Sequence, residues 1–183
     1  LKKNVVSGLK MSGMKVYDIG LASTPLLAFA TRFLKAGVGI IVTASHNPPE
    51  YNGFKFFLST GPASSDWIAR LYEVVKTDQL KRGAGIVETK NFVDEYRNAI
   101  VQTMKQSLRN MKVVFDTGNG MAGLTAPPIL KDLGCSAVFL NPRMDPQFPG
   151  RGPDSSSPAG LLKLGERVKR EKANLGASFD GDA

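Results

Sequence analysis

Ser45 stands just past the carboxyl end of the apolar run Val38–Thr43 and is followed at once by His46, the only histidine of the chain. Ligands are met at the carboxyl ends of strands in open α/β sheets, so the Ser45 hydroxyl is a group that a substrate can reach. Acyl transfer is a poor use for this pair. Neighbouring side chains on an extended backbone point apart, and the chain has no other histidine to act as base. Lys55 comes ten residues after Ser45, beyond the turn signal Asn52-Gly53. Near the other end, Asp180 and Asp182 are spaced i and i+2 and can face one side of an extended loop. Each feature alone has a plainer reading: Lys55 as a solvated strand residue, His46 as a loop histidine, and Asp180 to Asp182 as a turn.

A third pattern is Gly118-Asn119-Gly120-Met121-Ala122-Gly123, which has the G-x-G-x-x-G spacing of a dinucleotide site. That chemistry calls for an acidic residue about twenty positions on, at the end of the next strand, to hold a ribose. The strand from Cys135 ends instead at Asn141. The glycines therefore read as a tight strand-to-helix turn.

The elements that must position these groups alternate between β-branched runs and runs of helical period, so the fold class is α/β with a largely parallel sheet. Helical spacing of Val5, Val6 and Leu9 precedes a strand at Lys15–Ile19. Thr24, followed by Pro25, reads as the N-cap of a helix whose stripe is Leu27, Ala30, Phe33 and Leu34, ending at Gly37. Val38–Thr43 reads as a strand in a sheet interior, and Pro48 and Pro49 then stop regular structure before the strand Phe54–Leu58. Asp66 is the expected cap of a helix with Ile68, Leu71, Tyr72 and Val75 on one face. A further helix from Asn91 is expected to bury Val93, Tyr96, Ile100 and Met104. A second series follows: strand Lys112–Asp116, the glycine turn, a proline-interrupted helical stretch to Gly134, strand Cys135–Leu140, a helix opened by Ser157-Pro158, and strand Leu175–Phe179. The proline-rich stretch Asn141–Ser157 is a surface loop. The domain boundary is expected near Gln106–Asn110, dividing the chain into 1–108 and 109–183.

Composition narrows the function classes. A 183-residue chain with 42% hydrophobic residues can bury a substantial core, which excludes disordered and collagen-like classes. Lys and Arg number 24 against 16 Asp and Glu, but they are scattered and no aromatic residues interleave with them, so nucleic-acid binding is not expected. The single cysteine, Cys135, cannot form an internal disulfide and reads as a buried thiol in a reducing, cytoplasmic compartment. No stretch approaches the ~20 apolar residues of a membrane helix, and Leu1-Lys2-Lys3 leads to no signal-peptide core, so a soluble protein with no membrane partner is expected. Leu1 stands where a start methionine would be, and the polar loop at Asp180–Ala183 is cut short; both read as the ends of a fragment.

Together, Thr43-Ala44-Ser45-His46-Asn47-Pro48 and Asn52-Gly53-Phe54-Lys55 resemble the phosphoserine loop of the α-D-phosphohexomutases. Phe179-Asp180-Gly181-Asp182 is similar to the start of that family's metal loop. The resemblance covers essentially the whole chain. It implies mixed sheets sandwiched between helices, with the C-terminal part of the family's first domain followed by its second. It implies that Ser45 carries the transferred phosphoryl group, and that Ser45, Asp180 and Asp182 ligate Mg2+. Lys55 then assists proton removal from the attacking sugar hydroxyl, and His46 contacts phosphate or substrate. The implied reaction moves phosphate between positions 1 and 6 of mannose or glucose phosphate, through a bisphosphorylated sugar, with hexose 1,6-bisphosphate as activator. Phosphoglucosamine mutase is the alternative within the family, and a dinucleotide-binding domain the alternative outside it. A third family aspartate would fall after Ala183, so weak metal binding and no turnover by the isolated chain are expected. Phe148-Pro149-Gly150-Arg151-Gly152-Pro153 also resembles a family loop, with Asp154 where many members have asparagine; Arg151 is a candidate phosphate contact there.

Overall fold

Short apolar strands alternate with amphipathic helices throughout the computed structural model, which describes residues 1–104 and 108–183. The result is a mixed α/β fold whose contacts divide it into two compact units.

The first unit comprises residues 1–22, 27–42 and 54–92. It holds α1 (Lys2–Met11), β1 (Lys15–Asp18), most of α2 (Thr24–Phe33), β2 (Gly39–Val42), β3 (Phe54–Leu58), β4 (Gly61–Pro62), α3 (Ser65–Lys76) and β5 (Ile86–Thr89). β1 and β5 pair in parallel, whereas β2, β3 and β4 form an antiparallel sheet with Ile41 opposite Lys55. β2 was expected in a sheet interior; it lies at the end of its strand order, because the Asn52-Gly53 turn folds β3 back along one side of it. Leu27, Ala30 and Phe92 are buried, and the Phe33 ring meets Phe92 edge-on at 5.7 Å. Ser64, not Asp66, caps α3: its hydroxyl accepts the Trp67 N–H at 3.2 Å, while Asp66 sits in the first turn, where its charge opposes the helix dipole favourably. The α3 stripe of Ile68, Leu71, Tyr72 and Val75 stays exposed.

The second unit comprises residues 23–26, 43–53 and 93–183. A parallel sheet ordered β7-β6-β8 is built from β6 (Lys112–Asp116), β7 (Ser136–Leu140) and β8 (Leu175–Ser178). α5 (Ala122–Asp132) packs on β7, and α6 (Pro158–Glu171) packs on β6 and β8. Val113, Val114, Ala122, Ile129, Leu130 and Leu164 form the core. α5 runs unbroken through Pro127 and Pro128, where an interruption was expected; burial of Thr125, Ile129 and Leu130 outweighs the two lost backbone hydrogen bonds. α4 (Val93–Thr103) packs on α5, with Arg97 Nε 2.6 Å from Asp132 Oδ2. Its stripe is less covered than its pattern implies: Val93, Tyr96 and Ile100 are half-buried, and Met104 is exposed. The boundary expected at Gln106–Asn110 begins in residues outside those described, and α4 groups with the second unit. Cys135 is half-buried rather than buried, and that burial raises its thiol pKa.

Candidate functional site

Ser45 is held in an unusual backbone state. Its φ of +56° lies in the left-handed region, which costs a non-glycine residue roughly 1 kcal/mol. Local hydrogen bonds hold it there. The Ser45 N–H donates to Thr43 Oγ1 at 2.9 Å, and both the backbone N–H and the side-chain amide of Asn47 donate to the Ala44 carbonyl at 3.0 Å. The loop is closed at its base by the Thr43 N–H on the Gly53 carbonyl, also at 3.0 Å. Ser45 is half-buried and His46 is exposed.

In the same unit the Ser45 hydroxyl meets both predicted carboxylates: Oγ is 3.2 Å from Asp180 Oδ2 and 3.2 Å from Asp182 Oδ1. The acidic loop that presents them is pinned along its length. The Phe179 N–H donates to the Asp116 carbonyl at 2.9 Å, and the Phe179 carbonyl accepts from the Arg151 guanidinium. The Gly181 carbonyl accepts the Met121 N–H at 3.0 Å, and the Asp182 carbonyl accepts the Thr24 N–H at 2.9 Å. Asp182 is 4% exposed. Its Oδ2 accepts the hydroxyls of Thr24 at 2.7 Å and Thr43 at 3.3 Å, which leaves Oδ1 toward Ser45.

Three features not anticipated from the sequence hold this arrangement. Thr24 does not cap α2. Ser23, fully buried, does so by accepting the Leu26 N–H at 3.3 Å, and the Thr24 hydroxyl turns to Asp182 instead. The signal was visible in Ser23-Thr24-Pro25, where two hydroxyls precede the proline and one cap needs only one of them. Arg151 is not available as a phosphate contact. Its side chain is 3% exposed, with Nε 2.7 Å from Asp116 Oδ2 and its other nitrogens on the carbonyls of Asp116, Gly152, Asp154 and Phe179. Asn141, at the position where a nucleotide site needs an acid, donates from its amide to Asp116 Oδ1 at 2.9 Å.

The glycine turn also faces protein. A Cβ on Gly118 would lie 2.5 Å from Arg151 Nη2, and one on Gly120 would lie 2.7 Å from the Gly181 carbonyl oxygen. These glycines let the acidic loop and its arginine approach the strand ends closely, which is the backbone-contact role of glycine turned inward.

Lys55 belongs to the first unit, where it lies half-buried on β3. The carboxyl of Asp154 is lowered below its usual range chiefly by the Ser156 hydroxyl and N–H, with smaller contributions from the charges of His46 and Arg151. Among the described residues no group of three His, Cys, Asp or Glu side chains gathers to hold a metal, so the acidic set is two carboxylates and a serine oxygen. No described helix is long and apolar enough to cross a membrane. A cavity of about 490 Å³ beside α6 is lined by Asn141, Arg151, Lys163, Arg167 and Arg170, and not by Ser45, Asp180 or Asp182.

The site is thus a half-buried serine with a left-handed backbone that faces two loop carboxylates beyond the end of a parallel sheet in an α/β fold. Comparison with known proteins gives the family. Residues 1–82 match the model of phosphoglucomutase/phosphomannomutase α/β/α domain I, and residues 90–183 match that of domain II. The chain belongs to the phosphoglucomutase/phosphomannomutase family. It is 38% identical over 182 residues to a phosphomannomutase/phosphoglucomutase of Pseudomonas aeruginosa, with all of the chain and 39% of that protein covered. It is 33% identical over 192 residues to a phosphoglucosamine mutase of Alkaliphilus oremlandii, covering all of the chain and 42% of that protein. A crystal structure of a phosphoglucomutase/phosphomannomutase family protein from Burkholderia thailandensis superposes with a TM-score of 0.89 at 34% identity, over 99% of this chain and 41% of that one. The chain thus spans about 40% of the length of these relatives.

Proposed function

We propose that Ser45 carries the transferred phosphoryl group of a cytoplasmic intramolecular phosphotransferase acting on hexose phosphates. The observation that carries this reading is the convergence of Asp180 Oδ2 and Asp182 Oδ1 on Ser45 Oγ, each at 3.2 Å. A phosphorylated serine bears about −1.5 to −2 charges, so two carboxylates beside it need a cation between them. All the oxygens on offer are hard donors, which fits Mg2+ rather than a softer metal. Ser45, Asp180 and Asp182 would hold that ion, which supplies charge neutralisation when bound.

In the transfer, a sugar hydroxyl oxygen bonds to phosphorus as the bond from phosphorus to Ser45 Oγ breaks. The hydroxyl proton passes to the neutral amine of Lys55, which becomes the ammonium, the Ser45 oxygen released from phosphorus takes a proton from solvent, and His46 contacts the phosphate. The bisphosphorylated sugar then returns its other phosphate to Ser45, so phosphate moves between positions 1 and 6. Hexose 1,6-bisphosphate, the activator, loads the serine directly. Mannose and glucose phosphates are the first reading of the substrate, and the similarity to phosphoglucosamine mutases supports glucosamine phosphate as the second.

The test is to incubate the chain with Mg2+ and radiolabelled hexose 1,6-bisphosphate and to map the label by peptide mass spectrometry. One phosphoryl group on Ser45, absent from Ser45→Ala, is the expected result. Label on another residue, or equal labelling of the alanine variant, would refute the assignment.

A further inference from the structure

Asp182 has two carboxylate oxygens with different employment. Oδ1 faces the Ser45 hydroxyl, while Oδ2 accepts from the Thr24 and Thr43 hydroxyls at 2.7 and 3.3 Å. Thr24 makes the shorter of those two bonds and also donates its backbone N–H to the Asp182 carbonyl at 2.9 Å. That N–H is one of the donors left without an intrahelical partner at a helix start, so α2 loses nothing by giving it away. Ser23 performs the capping, so the Thr24 hydroxyl has no local duty either. Both polar groups of Thr24 are therefore directed at one residue, 158 positions along the chain.

We infer that Thr24 is a positioning residue: it fixes the rotation of the Asp182 carboxylate so that Oδ1, and not Oδ2, is presented to the cation and phosphoryl group at Ser45. This rests on the cation reading proposed above. A freely rotating carboxylate offers either oxygen and loses orientation each time a ligand binds; one anchored at Oδ2 by hydroxyl donors has that cost removed beforehand. Thr43 contributes to the same anchor while also accepting the Ser45 N–H, so it couples the two loops, but its bond to Asp182 is the longer one.

The variants that isolate the hydroxyl are Thr24→Val, which keeps the branched shape, and Thr24→Ser, which keeps the oxygen. The assay is a Mn2+ titration of the chain followed by electron paramagnetic resonance, with Mg2+ competition, beside thermal unfolding of the same samples. Thr24→Val is expected to weaken Mn2+ binding about 10-fold, at the lower end for loss of an outer hydrogen bond to a ligand because Thr43 remains. Thr24→Ser should restore wild-type affinity. A residue that merely stabilised the fold would lower the melting temperature in Thr24→Val and leave the affinity of the folded fraction unchanged, and that result overturns the inference alone. If the wild-type chain and Asp182→Asn both fail to bind Mn2+, the cation reading itself falls and the inference with it.

Discussion

Replacing Gly181 with alanine places a methyl group where the second unit has no room for one. The added Cβ would sit 2.5 Å from the Ser45 carbonyl oxygen and 3.2 Å from Cζ of the Phe148 ring. Ordinary contact between such atoms begins near ~3.5 Å, so one loop must retreat from the other by about 1 Å. The first obstacle is backbone and cannot swing aside like a side-chain tip. The same displacement acts on the two 3.2 Å approaches of Ser45 Oγ to Asp180 and Asp182, because Gly181 lies between those aspartates. Overpacking of this kind costs about 2 kcal/mol, on the order of 6 °C in melting temperature for a chain of this size. A 1 Å misplacement of reacting groups can cost about 100-fold in rate, so phosphorylation of Ser45 by the bisphosphate should slow by about that factor. Gly165→Ala is the matched control. Gly165 lies inside α6 with no atom within 4 Å of an added Cβ, so alanine there should raise stability by about 0.5–1 kcal/mol through helix propensity and leave labelling unchanged. Calorimetry and a labelling time course read both effects. If Gly181→Ala melts with the wild type and labels at the same rate, the close apposition of the two loops is not what builds this site.

Two further outcomes follow from charges that the fold has paired. Arg151→Met strands Asp116, whose side chain is 3% exposed, without its cation, and should cost about 3–5 kcal/mol in chemical denaturation. The double variant Asp116→Asn with Arg151→Met should lose less than the single one, and a single variant with unchanged stability would show that the pair does not hold the acidic loop. Glu171 has its pKa lowered below 4.5 by hydrogen bonds from Lys112 first and Arg167 second. A depressed carboxylate contributes stability above its unfolded pKa and loses it as pH falls through the lower folded value. Melting temperature should therefore drop on acidification below about pH 4.5, and Glu171→Gln should flatten that drop; an identical pH profile in the variant would count against the interaction.

The parts of this fold that were legible in the sequence are those fixed by local pattern. Lys112–Asp116 and Phe54–Leu58 are strands because apolar, β-branched and aromatic residues crowd into short runs, and both fall where expected. β4, with two residues, and β5, with four, carry too little pattern to stand out, and they exist through pairing with β3 and β1. Pro127 and Pro128 mislead for the opposite reason: local chemistry argues for a break, and burial of the α5 face overrides it. The α3 stripe shows that periodicity reports which face is apolar, not whether that face is covered. Ser45, His46, Lys55, Asp180 and Asp182 were nameable as candidates because they sit in two motifs. Thr24 and Arg151 read there only as a helix cap and a phosphate contact, because the partners that define them, Asp182 and Asp116, lie far away in sequence.

That division explains how one glycine pattern can mean two things. A G-x-G turn at the end of a strand lets some other backbone or ligand approach, and nothing within the turn itself says which. In a nucleotide site the visitor is a pyrophosphate; in this chain the space beyond Gly118 and Gly120 holds Arg151 and the Asp180-Gly181 peptide. The discriminating residue lies outside the turn, at Asn141, where an amide that donates to Asp116 replaces an acid that would accept from a ribose. Asp116 thereby gains Asn141, the Gly118 N–H and Arg151 as partners, and Arg151 in turn grips the carbonyl just before Asp180. The glycine turn is thus part of the support of the acidic loop: a side chain at Gly118 or Gly120 would push Asp180 and Asp182 off Ser45, not empty a nucleotide pocket.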